Sequence, residues 1–381
     1  MKILLISEYF PSSEKADITG GVESRCFNVA KRLAKKHKVK IITSYQEGLK
    51  RYDKFCNIEV YRVGKYHSYS SSGNILSRLD FAKNAEKKGI EFNDIDIIDG
   101  YSFLTYLPSY SIAKKLKKPC IITYHETWVG EWIKTKGLIT GIPGEIWERK
   151  VLKRKFDKII SVSKFTKRRL IERGINEKNI VIIPNGVDLK QFNEIKAKKF
   201  SQPTICCISR LTPKKKIDDL IKAVDVVRIK IPDIKCKIIG QGDEICNLKK
   251  LVNQSNLNEN IEFLGFVEKN EDVIKILKSS HVFCLPSILE GFGMVVIEAM
   301  ASQVPYICSD IEPLKEVTEN GKGGLLFKAE DYKDLAEKIM KLLKDKKLYE
   351  KKVKEASTLV KKYDWDLITK EIEKVYDGLV G

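Results

Sequence analysis

Two glutamates, Glu290 and Glu298, stand on either side of a Gly-Phe-Gly turn, and their setting points to ligand chemistry. An apolar strand-like run at 282–287 precedes the pair, and an apolar helical run begins at 294. A strand, a glycine-rich loop and a helix start point several backbone amides at one spot, which favours an anion. Carboxylates beside that spot would accept hydrogen bonds from hydroxyl groups. A nucleotide sugar carries a diphosphate between two sets of hydroxyls, so the pattern favours a ligand of this kind.

Most isolated pairs of glutamates are solvated surface residues, and this interpretation competes with the functional one. Glu298, however, interrupts the apolar run 294–301, where an unpaired carboxylate is costly. We therefore expect the two glutamates to have a ligand or a partner.

Two cations follow another strand-like run, at 204–209. Arg210 offers a planar fork of donors and Lys215 a mobile point charge, a combination that suits the two phosphates of a diphosphate. Lysines 214 to 216 are consecutive and could simply be a solvated charge run. Arg210, at the end of the strand, is harder to explain in that way.

Glycines and one histidine complete the set of candidates. Gly20 and Gly21 stand at a predicted helix start and Gly240 follows a strand, so that a ligand could approach the backbone closely. No GxGxxG fingerprint follows the first strand, which argues against a dehydrogenase. His125 follows the strand at 120–124 and could contact a sugar hydroxyl or stabilise developing positive charge. A structural role for this histidine is equally open.

Strands and helices alternate along the whole chain, and this pattern must position the candidate residues. A length of 381 residues favours two domains. Alternation of short apolar runs with period-3.6 segments predicts parallel sheets covered on both faces, with ligands at the carboxyl ends of the strands. We predict an α/β chain of two doubly wound, Rossmann-like domains facing each other across a cleft. The predicted ranges are 1–188 for the first domain, 189–202 for a linker and 203–363 for the second domain.

Composition excludes several classes of protein. Hydrophobic residues make up 43% of the chain and charged residues 32%, which is typical of a soluble globular protein. No apolar run is long enough to cross a bilayer, and the short first one predicts a strand and not a signal peptide. The nine cysteines show no CxxC spacing, and the four histidines form no ligand-spaced cluster. We expect reduced thiols, a cytoplasmic location and no metal ion.

Positive charge is concentrated in the first half of the chain. Residues 1–190 contain 37 Lys and Arg against 21 Asp and Glu, whereas residues 191–381 contain 33 against 30. The first half should therefore attract an anionic partner. Trp128, Trp132, Leu138 and Ile139 lie among lysines, which suits peripheral contact with an anionic membrane on its cytoplasmic face. A lysine-rich solvated surface is the alternative, and without a recognition motif nucleic acid is not expected as a partner.

Ten short motifs, in order along nearly the whole chain, resemble the retaining GT-B glycosyltransferases of glycosyltransferase family 4. They are GGVE, His125 after its strand, IISVSKFTKRRL, PNGVDLKQF, SRLTPKKKIDDLI, IIGQGDE, FLGFV, LPSILEGFGMVVIEAMA, GGLLF and the terminal DWDLITKEIEKVY. Each motif alone is weak, but ten in sequence are specific. The chain departs from the family at Lys216, where glycine is frequent, and this puts the shape of the phosphate loop in question.

The resemblance implies a role for each candidate residue. The donor pyrophosphate would be held by Arg210 and Lys215, and the ribose hydroxyls by Glu298. The hexose would contact His125 and Glu290. Further donor contacts would come from a set of backbone positions, namely Gly20, Gly21, Gly240, Gly291, Phe292, Gly293, Met294 and Val295. The last helix, 364–381, would pack back on the first domain.

The resemblance also implies a reaction. A hexosyl group would pass from a UDP- or GDP-sugar to an unidentified acceptor hydroxyl, lipid-linked or phosphorylated, with retained anomeric configuration. Arg210 and Lys215 would take the place of a metal ion, so we expect no cofactor. The alternative is a nucleotide-sugar epimerase or a phosphorylase with the same architecture.

Overall fold

The structure, a computed structural model, describes residues 1–14, 20–66 and 75–381. The chain divides into two compact units. Met1–Asn185 and Trp365–Gly381 form the first unit, and Gly186–Asp364 forms the second. Each unit is described by itself.

The described residues contain fourteen strands, which form two sheets, one in each unit. The eight strands of the first unit are β1 (Lys2–Ile6), β2 (Lys38–Ser44), β3 (Tyr52–Phe55), β4 (Ile58–Val63), β5 (Ile97–Gly100), β6 (Cys120–Tyr124), β7 (Lys158–Ser161) and β8 (Ile180–Ile182). The six strands of the second unit are β9 (Thr204–Ile208), β10 (Lys235–Ile239), β11 (Ile261–Gly265), β12 (Val282–Leu285), β13 (Tyr306–Ser309) and β14 (Gly324–Phe327).

The helices alternate with these strands. In the first unit they are α1 (Gly21–Leu33), α2 (Ile75–Ile90), α3 (Tyr106–Leu116), α4 (Trp132–Leu152) and α5 (Lys164–Ile171). In the second unit they are α6 (Leu189–Glu194), α7 (Ile217–Arg228), α8 (Ile245–Gln254), α9 (Asn270–Ser279), α10 (Met294–Ala301), α11 (Glu312–Val317), α12 (Tyr332–Lys344) and α13 (Lys346–Leu359). The last helix, α14 (Trp365–Val380), belongs to the first unit again.

Both sheets have the strand order of a doubly wound fold. The first sheet is ordered β3-β4-β2-β1-β5-β6-β7-β8, and the second β11-β10-β9-β12-β13-β14. Every pairing is parallel except that of β3 with β4. The central strands are buried on both faces, which explains why their sequences are continuous apolar runs such as Ile3–Ile6 and Ile205–Cys207. In each sheet the order reverses beside the first strand, and a ligand crevice is expected at that point.

Two elements were not predicted from the sequence. Strand β3 is a short edge strand, joined to β4 by a turn in which Cys56 and Asn57 both have positive φ, as a type I′ hairpin turn requires. The stretch predicted as a linker, 189–202, begins with α6 and belongs to the second unit. The Asp188 carboxylate caps this helix by accepting a hydrogen bond from the Gln191 amide at 3.1 Å, and Phe192 is buried.

Helix α14 packs on α1 within the first unit. Its Asp366 carboxylate accepts a hydrogen bond from Arg32 Nε at 2.5 Å, and its Glu373 carboxylate lies 2.8 Å from His37 Nε2. The Tyr376 hydroxyl donates to the buried carboxylate of Asp99 at 2.6 Å. The end of the chain is therefore tied to the first unit by polar contacts as well as by apolar burial.

Candidate functional site

The strand order of the second unit reverses between β9 and β12, which places the loops after these two strands side by side. The loop after β9 carries Arg210 and Lys215, and the loop after β12 carries Glu290. The Ile288 amide donates to the Lys214 carbonyl at 2.9 Å and joins the two loops through their backbones. Residues far apart in sequence thus meet at the point where a doubly wound sheet binds its ligand.

An ion pair links these loops through their side chains. Lys215 Nζ lies 2.6 Å from Glu290 Oε1, and both side chains are mostly buried. The family resemblance assigns these two residues to different parts of one ligand, and nothing in the sequence predicts that they contact each other. A cation and an acceptor are held at one place, as recognition of a phosphate beside a hydroxyl requires.

Glycines let the next loop pack on the loop that carries Arg210. Gly240 has a φ of 132°, and a Cβ there would lie 1.9 Å from the Ser209 carbonyl oxygen. A Cβ on Gly242 would lie 2.2 Å from the Leu211 carbonyl oxygen. The structure therefore gives Gly240 a packing role, in addition to the ligand approach predicted for it.

Helix α10 begins beside Glu290 with free backbone donors. Gly293 precedes the helix with a φ of 94°, and a Cβ there would lie 2.5 Å from the Leu314 side chain. The amides of Met294 and Val295 fall in the first turn, where no intrahelical acceptor exists. The Phe292 side chain is buried against the Tyr363 ring, with 5.7 Å between the ring centroids. Phe292 can therefore reach a ligand only through its backbone.

Glu298 lies one turn into α10, at the edge of the apolar core. Burial raises the pKa of its carboxyl to about 7, although part of the residue remains accessible. No hydrogen bond to this carboxyl is present in the part of the chain that the structure describes. Donors from a ligand would stabilise its ionised form.

The cations of the phosphate loop differ in conformation and exposure. Arg210 is exposed at the end of β9, so its guanidinium is accessible to a ligand. Lys216 adopts the left-handed conformation, with φ 49° and ψ 42°, directly before α7. A glycine would adopt this conformation without strain. Lys216 therefore has the backbone conformation that the family's glycine would favour. Its Nζ lies 2.8 Å from Glu330.

The remaining predicted site residues lie in the first unit. Helix α1 begins at Gly21 with Gly20 as its N-cap. His125 follows β6, and its Nε2 is buried without a hydrogen-bond partner in the described residues. Burial, together with the charge of Arg25, lowers the pKa of His125 to about 3. The imidazole is therefore neutral at physiological pH and can either donate or accept a hydrogen bond.

Arg25 is a buried cation of the first unit that was not predicted from the sequence. Its side chain is fully buried and donates to the Pro184 carbonyl at 2.6 Å and to the Asn185 side chain at 3.0 Å. Burial lowers the pKa of this guanidinium, while Asp99 favours its charged form.

The two tryptophans predicted to face a membrane are tied into the first unit. The Trp132 indole donates to Glu148 at 2.6 Å, and the Trp128 amide donates to the same carboxylate at 3.1 Å. The Tyr124 hydroxyl also lies 2.7 Å from Glu148, which is fully buried. The Trp132 indole is therefore held at a buried carboxylate inside the unit, and Trp128 contacts the same group through its backbone. The peripheral membrane contact predicted for Trp128, Trp132, Leu138 and Ile139 stays a prediction.

The described residues contain neither a membrane-spanning helix nor a metal-binding cluster. No helix there is long and apolar enough to cross a membrane. No group of three or more His, Cys, Asp and Glu side chains is placed to hold a metal ion within residues 1–14, 20–66 and 75–381.

Two family descriptions together match most of the chain. Residues 190–359 match "Glycosyl transferases group 1", and residues 19–191 match "Glycosyltransferase Family 4". An uncharacterized glycosyltransferase of Methanocaldococcus jannaschii is 29% identical over 100% of this chain and 99% of its own length. A phosphatidyl-myo-inositol mannosyltransferase of Mycolicibacterium smegmatis is 27% identical over 96% of this chain and 92% of its own.

A solved structure shows the same fold. An Anabaena protein crystallised with UDP and glucose has a TM-score of 0.78 and 18% identity, and the match covers 100% of both chains. Together with the two parallel sheets, this likeness confirms the GT-B fold predicted from the sequence.

Proposed function

The chain belongs to the glycosyl transferases group 1 and glycosyltransferase family 4, and we propose that it transfers a hexosyl group with retained anomeric configuration. The donor is a nucleotide diphosphate sugar, UDP- or GDP-linked, and the acceptor provides a hydroxyl group. The observation that carries this proposal is the ion pair of Lys215 with Glu290 beside the free amides of α10. Cation, carboxylate and helix start match the diphosphate and hydroxyl groups of such a donor.

The donor diphosphate is held by charge. Arg210 and Lys215 contact its oxygens, and the amides of Met294 and Val295 add the positive end of the helix dipole. Glu298 accepts hydrogen bonds from the ribose hydroxyls, and Glu290 accepts one from the hexose. Lys215 then exchanges a carboxylate partner for a phosphate, so the ion pair in the free protein keeps the site ordered until the donor arrives.

Transfer breaks the bond between the anomeric carbon and the phosphate oxygen, and the bonding electrons leave with the nucleoside diphosphate. The same cations and amides stabilise the negative charge that grows on this leaving group, which is usually the largest catalytic contribution. The acceptor oxygen bonds to the anomeric carbon from the same face, and its proton passes to the departing phosphate oxygen. His125, neutral at the pH of the reaction, contacts the hexosyl group.

Glu290 is a weaker candidate for a covalent nucleophile. In the free protein its carboxylate oxygen accepts a hydrogen bond from Lys215 Nζ at 2.6 Å. A hydrogen-bonding role for Glu290 agrees with this contact, and attack from the same face needs no covalent intermediate. The chemistry uses two cations for leaving-group charge, so we propose that no metal ion is needed.

The acceptor is the least defined part of the reaction. The surplus of positive charge in residues 1–190 favours an anionic acceptor. The mannosyltransferase of Mycolicibacterium smegmatis is named for a phospholipid acceptor. We propose a lipid-linked or phosphorylated acceptor, reached by peripheral contact with an anionic membrane on its cytoplasmic face.

A ligand screen tests the proposed donor. Thermal unfolding is recorded with UDP, GDP and their sugars, since a ligand at about 100 times its Kd adds about 2.7 kcal/mol of stability. We expect one nucleotide diphosphate and its sugar to raise the unfolding temperature. Free nucleoside diphosphate should then be released from that sugar faster when an acceptor is added. Conversion of the sugar without acceptor and without release would identify an epimerase instead.

A further inference from the structure

Helix α4 carries an unusual concentration of exposed aliphatic side chains. The described residues include sixteen exposed large hydrophobic residues, and five of them belong to this one helix. They are Ile133, Leu138, Ile139, Ile142 and Ile146, called here the α4 ridge. Leu138 is 65% exposed and Ile139 86%. Large aliphatic groups scattered singly need no explanation, but a cluster on one segment indicates an interaction surface.

Backbone geometry shows why the ridge points outward. Gly137 interrupts α4 with φ 69° and ψ −179°, and the chain folds back on itself there. A Cβ on Gly141 would lie 2.7 Å from the Ile133 backbone, and one on Gly144 would lie 2.5 Å from the Trp132 ring. Leu138 and Ile139 directly follow the interruption and lie at the outer end of the bend in α4.

The inner side of α4 carries a buried carboxylate beside the apolar Val151, which is unusual for a surface helix. Glu148 is fully buried and accepts hydrogen bonds from the Trp132 indole and the Trp128 amide. A surface helix of a globular protein normally turns its apolar face inward and its carboxylates outward. The hydrogen bonds fix this orientation, so the ridge is not a loosely packed core face that could turn inward.

A groove with a basic rim lies on the same unit, between α2, α3 and α4. Its volume is about 760 Å³, and Tyr110 and Trp147 contribute to its lining. Four exposed cations line it, namely Lys83, Lys114, Lys115 and Arg154. The cavity with these four cations is called here the basic groove. None of the four forms an ion pair within the part of the chain that the structure describes, and Glu86 is the one acidic residue of the lining. Ile146 of the ridge directly precedes Trp147 of the groove.

We propose that the α4 ridge and the basic groove form one docking surface for a membrane that contains anionic phospholipid. The ridge enters the boundary between headgroups and acyl chains, where aliphatic groups leave water. The groove takes the phosphate of a lipid headgroup, since unpaired cations over an apolar floor match a phosphate joined to acyl chains. Two basic grooves would repel each other, which disfavours a second copy of this chain as the occupant.

This inference deepens the membrane contact included in the proposed function, and it can fail without affecting the assignment of the donor site. Vesicle binding is measured without donor or acceptor. The rise in unfolding temperature caused by the nucleotide diphosphate is measured separately on each variant, and it should be retained in all of them.

Sedimentation of the full chain with vesicles tests the proposal. Vesicles of phosphatidylcholine alone are compared with vesicles that also contain phosphatidylglycerol, at low and at high salt. The wild type should sediment with the anionic vesicles, less so at high salt. The ridge variant Leu138→Ser with Ile139→Ser should lower the partition constant at least about tenfold. The groove variant, with its four cations changed to alanine, should lower it at least about tenfold and remove the salt dependence.

Matched control variants remove similar groups from the second unit. Ile229→Ser removes an aliphatic side chain that is 73% exposed. A second control changes four exposed lysines to alanine and so removes the same charge, at Lys230, Lys249, Lys250 and Lys333. Both controls should bind vesicles as the wild type does. Wild-type protein that stays in the supernatant under all conditions would overturn the proposal, as would an equal loss in the controls. A ridge-dependent dimer without vesicle binding would also overturn it.

Discussion

Lys215 Nζ and Glu290 Oε1 lie 2.6 Å apart, although 75 residues separate them in sequence. The contact joins the loops after β9 and β12, the two strands between which the order of the second sheet reverses. The cation assigned to the donor diphosphate and the carboxylate assigned to the hexose therefore neutralise each other in the free protein. Donor binding has to separate them, which makes the two residues energetically coupled.

The coupling predicts different effects for the two glutamates. Glu290→Gln removes the competitor for Lys215, so the affinity for the nucleoside diphosphate should stay equal or rise, while transfer falls on the order of 10²-fold. Glu298→Gln should instead weaken binding of the nucleotide itself. Calorimetry with the nucleoside diphosphate and a transfer assay separate the two effects. Normal affinity and normal turnover in both variants would show that neither carboxylate contacts the donor.

Donor binding should depend on pH through Glu298. Burial raises the pKa of this carboxyl to about 7, so the free protein loses some stability as pH rises from about 4.5 through about 7. Ribose hydroxyls donate to the ionised form, and binding should therefore release a proton and weaken as pH falls below about 7. The probe is the nucleotide sugar, whose diphosphate diester does not titrate in this range. Glu298→Gln should flatten the profile, and an unchanged pH dependence in this variant would assign it to another group.

The left-handed conformation of Lys216 predicts an unusual order of stabilities. Lys216→Gly relieves strain of about 1–2 kcal/mol and loses a partly exposed ion pair with Glu330. Its free energy of unfolding should equal or exceed that of the wild type by up to about 1 kcal/mol. Lys216→Ala loses the ion pair and keeps the strain, so it should be the least stable. Lys117→Gly is the control, because Lys117 at the end of α3 also has a positive φ, 55°. Denaturant unfolding that ranks Lys216→Gly below Lys216→Ala would contradict this interpretation.

Removal of divalent cations should leave the reaction intact. The positive charge of Arg210 and Lys215 performs the task of a metal ion at the leaving group, so a chelator should not change the initial rate of transfer. The rate is compared after treatment with EDTA and after addition of Mg²⁺ or Mn²⁺. A loss of activity on chelation that the metal restores would show that these two cations are insufficient.

The sequence predicted the architecture because parallel strands buried on both faces are continuous apolar runs, as Ile3–Ile6 shows. It missed β3, since an edge strand with residues such as Asp53 and Lys54 lacks such a run. It treated residues 189–202 as a linker and missed α6, because no apolar periodic run follows the local Asp188 cap and the burial of Phe192 depends on tertiary contacts. Local sequence carries periodicity well and long-range contacts poorly.

The site was predicted residue by residue, but its contacts were not. The motifs located Lys215 and Glu290 without indicating their ion pair, because only the order of the strands brings their loops together. The burial of Arg25 and Glu148 could not be read from the sequence, since charged residues are rarely buried. The sequence placed Trp128, Trp132, Leu138 and Ile139 together at a surface, but it did not show which of them is exposed. The Trp132 indole binds the buried Glu148, whereas Leu138 and Ile139 are exposed.

The most direct test of the central claim is donor turnover in Arg210→Ala. Arg210 is exposed at the end of β9 and, in the described part of the chain, has no side-chain partner whose loss would disturb the fold. Lys249→Ala is the control, since it removes one exposed positive charge from α8. We predict that Arg210→Ala binds the nucleoside diphosphate more weakly and transfers sugar slower by on the order of 10²-fold, while the control matches the wild type. Unchanged affinity and rate in Arg210→Ala would contradict the assignment of the diphosphate to this loop.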